Sequence, residues 1–310
     1  MSVTTTSNYG SMSNAWAHRA LLQRSKPMNV HNLFGRAFVL PQKNTDTMAF
    51  RRQENFNSDP VVLAEGVDPA PETVNKFDIS VQIQEFGKVT LISRKVLLVV
   101  EDDTANEIAD NLSQCMHTML DKVTRDVWQS AVPEISCLNG INGNLITELT
   151  QTDVNRAISY LDENNTEKMT PTIEGTSKFG TGPVEAAFWV AAHVKLKPDI
   201  RALDAFLPTS QYGSQEAVLQ AEFGSTDEAR WVTSTLVSVT DANPPVYSNT
   251  FIGANAYGYV GIDQVSTEII LKPLGFNDYL NRYQSMGFTA WFNAAILDDS
   301  HIVSLLSTKA

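Results

Sequence analysis

Two adjacent arginines, Arg51 and Arg52, stand close to Glu54 and just ahead of an acidic stretch, and the chemistry that this pattern offers is ion pairing. A guanidinium grips a carboxylate through parallel N–H···O bonds, so such residues set one surface in register against another. Residue types that make or break bonds are present but scattered. The five histidines (His18, His31, His117, His193, His301) lie far apart, and none has a second His or Cys at a metal-ligand spacing. His117 and Cys115 are two apart on an expected helix and do not share a face. There is no Gly-x-Ser-x-Gly elbow and no Gly-x-x-x-x-Gly-Lys-Ser/Thr loop. Gly180-Thr181-Gly182-Pro183 begins like a dinucleotide fingerprint but lacks its third glycine. Glu101, Asp102 and Asp103 are explained by a helix start, and Asp298 and Asp299 by a turn. The expectation is a protein with no catalytic residues, no cofactor and no metal, whose chemistry is that of contact.

Those arginines need an element to carry them. Thr47 to Phe56, with Met48 and Phe50, reads as one strand. Phe77, Ile79, Val81 and Ile83, alternating with Asp78, Ser80, Gln82 and Gln84, read as another with one buried face. Between them Pro60, Gly66, Pro69 and Pro71 interrupt any regular ladder, and Glu54, Asp59, Glu65, Asp68 and Glu72 make the loop acidic. A long two-stranded ribbon has little core of its own and is marginal in water, so it is expected to lie on another subunit. Arg51, Arg52, Glu54, Glu65 and Gly66 are the candidate interface residues. A long helix is expected over Thr104 to Ser130. Thr104 and Glu107 form a capping box, and Ile108, Leu112, Met116, Met119, Val123 and Val127 follow a three-and-four spacing that Pro133 ends. Its length would be about 40 Å.

The remaining elements are expected to be a short helix over Asn14 to Gln23 in an irregular arm, a helix over Thr152 to Asn164 capped by Thr152 or Asp153, and a strand within Glu185 to Val194. A short helix near Lys197 to Leu203 follows, then short strands and turns over 215 to 260. Phe288 to Leu297 and Ile302 to Leu306 read as strands joined by a turn at Asp298 to Ser300. The whole is α+β. Its 310 residues carry a net charge of −12, unevenly spread. Met1 to Gln53 holds seven Lys and Arg against one acid, the rest 16 against 34. A basic arm on an acidic body suits binding to a neighbouring copy better than to nucleic acid, because the arm lacks dense Lys/Arg clusters. Two cysteines fit a reducing compartment, and the sequence offers no signal peptide and no apolar run long enough to span a membrane.

The series Leu40-Pro-Gln-Lys43, Thr47-Met-Ala-Phe50-Arg51-Arg52, Leu63-Ala-Glu65-Gly66-Val67-Asp-Pro69 and Phe86-Gly87 resembles the N-terminal third of a major capsid protein family of tailed phages, typified by the large virion-RNA-polymerase podophage of Escherichia coli. Asn255-Ala-Tyr257-Gly258, Lys272-Pro-Leu-Gly275, Asp278-Tyr-Leu-Asn281-Arg282, Gly287-Phe288 and Ala294-Ala295-Ile296-Leu297 continue the resemblance over roughly residues 40 to 306. Where the family usually has Gly-Trp-Lys, this chain has Gly287-Phe288-Thr289. The resemblance implies the Hong Kong 97 phage capsid fold, divided into an N-terminal arm (1–46), an extended loop (47–86), a peripheral domain with a spine helix (87–134 and 271–310) and an axial domain (135–270). It further implies a major capsid protein that assembles with itself into hexamers and pentamers around double-stranded DNA, without sequence-specific DNA binding. Its partners would be a separate scaffolding protein, a portal protein and, as a further candidate, a decoration protein. It would reside in the virion capsid and be assembled in the host cytoplasm. An encapsulin-like compartment shell and an unrelated soluble hydrolase are the alternatives.

Overall fold

In the computed structural model, residues 26–310 are described apart from 44, 61, 63–65, 67, 69–70, 100–103, 139–144, 177–180, 205, 215–217, 220, 264–265 and 276–278. The helix expected over Asn14 to Gln23, Glu65 of the candidate set and the acids 101–103 lie outside the described residues. In chain order the elements are β1 (Arg36–Leu40), β2 (Thr47–Gln53), β3 (Lys76–Gln82), β4 (Gln84–Ser93), α1 (Arg94–Val99), α2 (Thr104–Ala131), β5 (Glu134–Ser136), α3 (Gln151–Glu163), β6 (Phe188–His193), α4 (Lys197–Arg201) and β7 (Phe206–Pro208). They continue with β8 (Glu222–Thr226), β9 (Ala229–Ser234), β10 (Val239–Thr240), β11 (Val246–Ile252), β12 (Tyr257–Ile262), β13 (Thr267–Lys272), β14 (Tyr283–Ile296) and β15 (Ile302–Thr308).

Three sheets result. The first is built on β14, a strand of 14 residues that takes β4 along one edge and β13 followed by β12 along the other, with β1 parallel to β12. One face of this sheet presents Met286, Phe288, Ala290, Phe292 and Ala294, and α2 covers it with Leu112, Met116 and Leu120. This is the physical outcome of the three-and-four spacing: one apolar stripe of a helix laid on the apolar face of an alternating strand.

The second sheet has eight strands, in the order β5-β15-β11-β6-β9-β8-β7 with β10 on β11. β6 is buried along its whole length, as expected for a strand covered on both faces. One face meets α3 through Val154, Ala157, Ile158 and Leu161. The other meets Val30, Phe34, Trp128, Val132 and Tyr257, so the C-terminal end of α2 and the segment at 30–34 join the two sheets in one apolar cluster. The third sheet is the hairpin β2–β3.

Several expectations are corrected at this level. The strands before and after Asp298 to Ser300 do not form a hairpin: β14 lies in the first sheet and β15 in the second, and a 3₁₀ turn over Asp299–His301 passes the chain between them. Strand pairing itself runs across residue 270: β12 and β13 pair with β14, while β15 pairs with β11. The cap of α3 is Thr150, which uses no side-chain bond to the backbone. Its hydroxyl instead donates to Asp153 at 2.6 Å. β1, β4 and α1 had no expectation. β1 and α1 are short, and in β4 the alternation of the preceding strand ends at Glu85, while Phe86, Val89, Leu91 and Ile92 keep no period of two.

Candidate functional site, a projecting hairpin

Among the described residues, the apolar anchor of the hairpin lies at its base. There Met48 and Phe50 lie opposite Val81 and Ile79. Val81 and Ile83 are buried with Leu40 and Val260, while Phe38 and Phe50 pack against that cluster with ring centroids 4.5 Å apart. Asp46 closes the base. Its carboxylate accepts from Gln82 Nε2 at 2.9 Å and from Thr47 Oγ1 at 3.0 Å, and these bonds hold its pKa below the ordinary aspartate value. Ile83 N donates to Asp46 O at 2.9 Å, and Asn293 Nδ2 donates to Gln82 O at 2.7 Å, tying the base to β14.

Beyond the base, burial stops. The alternation that promised one buried face from Phe77 to Ile83 buries only Val81 and Ile83, and Phe77 is 51% exposed. Phe56 and Val62 are 55% and 94% exposed, with Glu54, Asp59, Asp68 and Glu72 exposed around them. Gly66 has φ +78°, in the left-handed region that favours glycine, and open space surrounds it. Among the described residues, the outer hairpin is therefore an apolar and acidic surface that the described part of its own chain leaves uncovered.

The two arginines sit where this surface meets the body. Arg51 lies directly opposite Asp78, donating from Nε at 2.6 Å and from Nη2 at 3.0 Å to the two carboxylate oxygens. That fork holds the Asp78 carboxyl below its ordinary value. Arg52 reaches off the hairpin to Asp298, with its guanidinium 5.9 Å from the Phe77 ring centroid. Burial pushes the Asp298 carboxyl up, but hydrogen bonds from Ser300 and Arg52 outweigh it and leave the pKa lowered. Arg51 and Arg52 thus both have intrachain partners, and Glu54 continues the ladder by its backbone N–H to Asn75 O at 3.1 Å. Reading the sequence missed these partners for distinct reasons. Asp78 could have been found from the hairpin register, because Arg51 and Asp78 are cross-strand neighbours. Asp298 carries no local signal, since its role depends on where β14 hands the chain to β15.

Among the described residues no group of three His, Cys, Asp or Glu could hold a metal ion, and no helix is long and apolar enough to cross a membrane. The arrangement is suited to bearing contacts: a rigid helix on a long strand, and a ribbon projecting from it.

No family profile matches the sequence, and no curated protein matches it significantly. Solved structures do. A chain of the capsid of Ralstonia phage GP4 superposes with a TM-score of 0.66 at 12% identity, covering 97% of each chain. A chain of the capsid of cyanophage P-SCSP1u gives 0.64 at 9% identity over 100% of this chain and 96% of that one. One from the head of Helicobacter pylori bacteriophage KHP40 gives 0.62 at 13% identity over 100% and 98%. The chain therefore has the α+β fold of tailed-phage capsid proteins, the Hong Kong 97 type. At these identities the likeness is one of fold.

Proposed function

We propose that this protein is the major capsid protein of a tailed phage, assembling into hexamers and pentamers that form an icosahedral head around double-stranded DNA. The observation that carries the reading is the hairpin: a ribbon with apolar and acidic residues exposed along its outer half, in a chain whose whole length follows the fold of phage capsid chains. Such a surface is stable only when another copy covers it. The full-length likeness of fold to chains of phage heads favours a genome container over an encapsulin-like compartment, and the scattered histidines give a hydrolase nothing to work with. On this reading 1–46 is the arm, 47–86 the extended loop, 87–134 with 271–310 the peripheral domain and 135–270 the axial domain. The motif series at Leu40 to Gly87 is the feature that supports a type resembling the virion-RNA-polymerase podophage group. A separate scaffold, a portal and a decoration protein are the partners that this role calls for. Assembly would take place in the host cytoplasm and the product would reside in the virion capsid. The net charge of −12 suits a wall that does not hold its DNA.

Size-exclusion chromatography with light scattering, followed by negative-stain microscopy, tests the reading. Closed shells, or rings of five or six copies, are expected, with nucleic acid rather than protein cargo in particles from the native source. A subunit that stays monomeric even when co-expressed with its neighbouring genes would overturn it.

A further inference from the structure

The segment at the start of the described chain runs alongside α2 as a strap. Lys26 Nζ meets Asp110 at 3.3 Å, the His31 backbone N–H donates to Asp121 Oδ1 at 2.8 Å, and Thr124 Oγ1 donates to Asn32 Oδ1 at 2.5 Å. Where this strap and the C-terminal end of α2 meet the second sheet lies a cavity of about 10 Å³, room for about one water molecule. Its walls are largely polar: His31 from the strap, Arg125 and Trp128 from α2, Ser238 beside β10, and Ser248 and Thr250 from β11. Ser248 and Thr250 are two apart on a strand and so share a face. Trp128 is 4% exposed, and its indole Nε1 is buried without a hydrogen-bond partner among the described residues. The ring is packed against His31 and Tyr257, with centroids 4.7 Å and 5.1 Å away, so it has little freedom to turn toward an acceptor elsewhere.

We propose that this cavity is the binding site of one ordered water, which accepts from Trp128 Nε1–H and donates to the Thr250 hydroxyl. A buried indole N–H needs an acceptor, and a polar cavity of this size beside it can supply one. The water joins α2 to β11 through two groups that lie in the walls of one cavity. The Ser248 hydroxyl shares a hydrogen bond with Ser304 Oγ, so Thr250 is the freer acceptor of the two. A halide ion would meet the same donors, but the charges in the walls argue against it. Arg125 spends Nε and Nη2 on Asp126 at 2.9 and 2.6 Å and Nη1 on Leu236 O at 3.2 Å, and the His31 ring contacts the buried Asp121 carboxylate at 2.7 Å. Each basic group already faces a carboxylate, so an anion would be buried without compensation and a neutral ligand would not. The inference concerns the folded subunit and does not depend on assembly.

A crystal structure of the full-length protein, at a resolution that shows ordered water, tests this directly. One peak is expected about 3 Å from Trp128 Nε1. No peak there overturns the proposal. So does a bromide anomalous signal at that position after chloride is exchanged for bromide, which would assign the site to a halide ion. Urea unfolding of the full-length chain gives an independent readout. Trp128→Phe removes the donor and Thr250→Val the acceptor, and each should lower the folding equilibrium constant about tenfold. If one water serves both groups, the loss in the double variant should fall about fivefold short of the product of the single losses. Thr250→Ser keeps the hydroxyl and should show no such shortfall when combined with Trp128→Phe. Losses that simply multiply in Trp128→Phe with Thr250→Val would overturn the proposal. Should Trp128→Phe fail to fold, the wild-type structure and its bromide exchange decide.

Discussion

At the residue scale the interface candidates turn out to have partners within their own chain. Arg51 grips Asp78 across the hairpin and Arg52 grips Asp298 on the body, and both pairs are partly exposed. An arginine has five donors, so neither pair uses the whole guanidinium, and a neighbouring copy's carboxylate can join. If Arg51 serves only its own hairpin, exchanging the charges as Arg51→Glu with Asp78→Arg should leave assembly intact. If it also meets a second copy, the exchange should abolish shells while circular dichroism shows a folded subunit. The loss is the outcome expected, and sedimentation of the double variant checks it. Asp298 gives a pH dependence. Its folded pKa lies below its unfolded one, so its contribution to stability is complete above the ordinary aspartate value of about 4 and is lost as pH falls through the lower folded value. Below about pH 4, hydrogen exchange in the hairpin should therefore rise before the sheets open, and Arg52→Gln should remove that early step.

At the element scale the decisive piece is α2. It packs on β14 through Leu112, Met116 and Leu120, and its C-terminal half supplies Trp128 to the second sheet. Asp121, fully buried on this helix, takes the His31 backbone N–H at 2.8 Å and contacts the His31 ring at 2.7 Å, while the Tyr257 hydroxyl donates to His31 O. One carboxylate thus joins the strap to the helix. Removing it leaves two buried groups unpaired, so Asp121→Ala should cost about 3–5 kcal/mol, measured by urea unfolding. Asp110→Ala, at the exposed end of the same strap, should cost less than about 1 kcal/mol.

At the scale of the whole molecule, folding and assembly draw on different parts of the chain. Among the described residues, the two sheets, α2 and α3 hold nearly all of the buried apolar residues, whereas the hairpin beyond its base buries none. Deleting residues 54–75 and joining Gln53 to Lys76 with a short turn should leave the thermal midpoint within a few degrees, because little buried surface is lost. The same deletion should prevent closed shells. A variant that forms normal shells would separate the hairpin from assembly and remove the observation on which the proposed function stands.

The sequence by itself determined what is local and periodic. The apolar stripe of α2, the stop at Pro133, the inner face of α3, the apolar run of β6 and the two arms of the hairpin follow from spacings within one element, where the period of 3.6 or 2 is set by backbone geometry. Only the tertiary structure decided which strands share a sheet. β14 and β15 are neighbours in sequence and read as a hairpin, but each has a longer apolar ladder to complete elsewhere, β14 with β4 and β15 with β11. The same holds for ion pairs. The Arg51–Asp78 pair needed only the hairpin register, but Arg52–Asp298 joins residues 246 positions apart, and His31–Asp121 joins residues 90 apart. Pairing across such distances is fixed by how sheets and helix pack, and no local period records it.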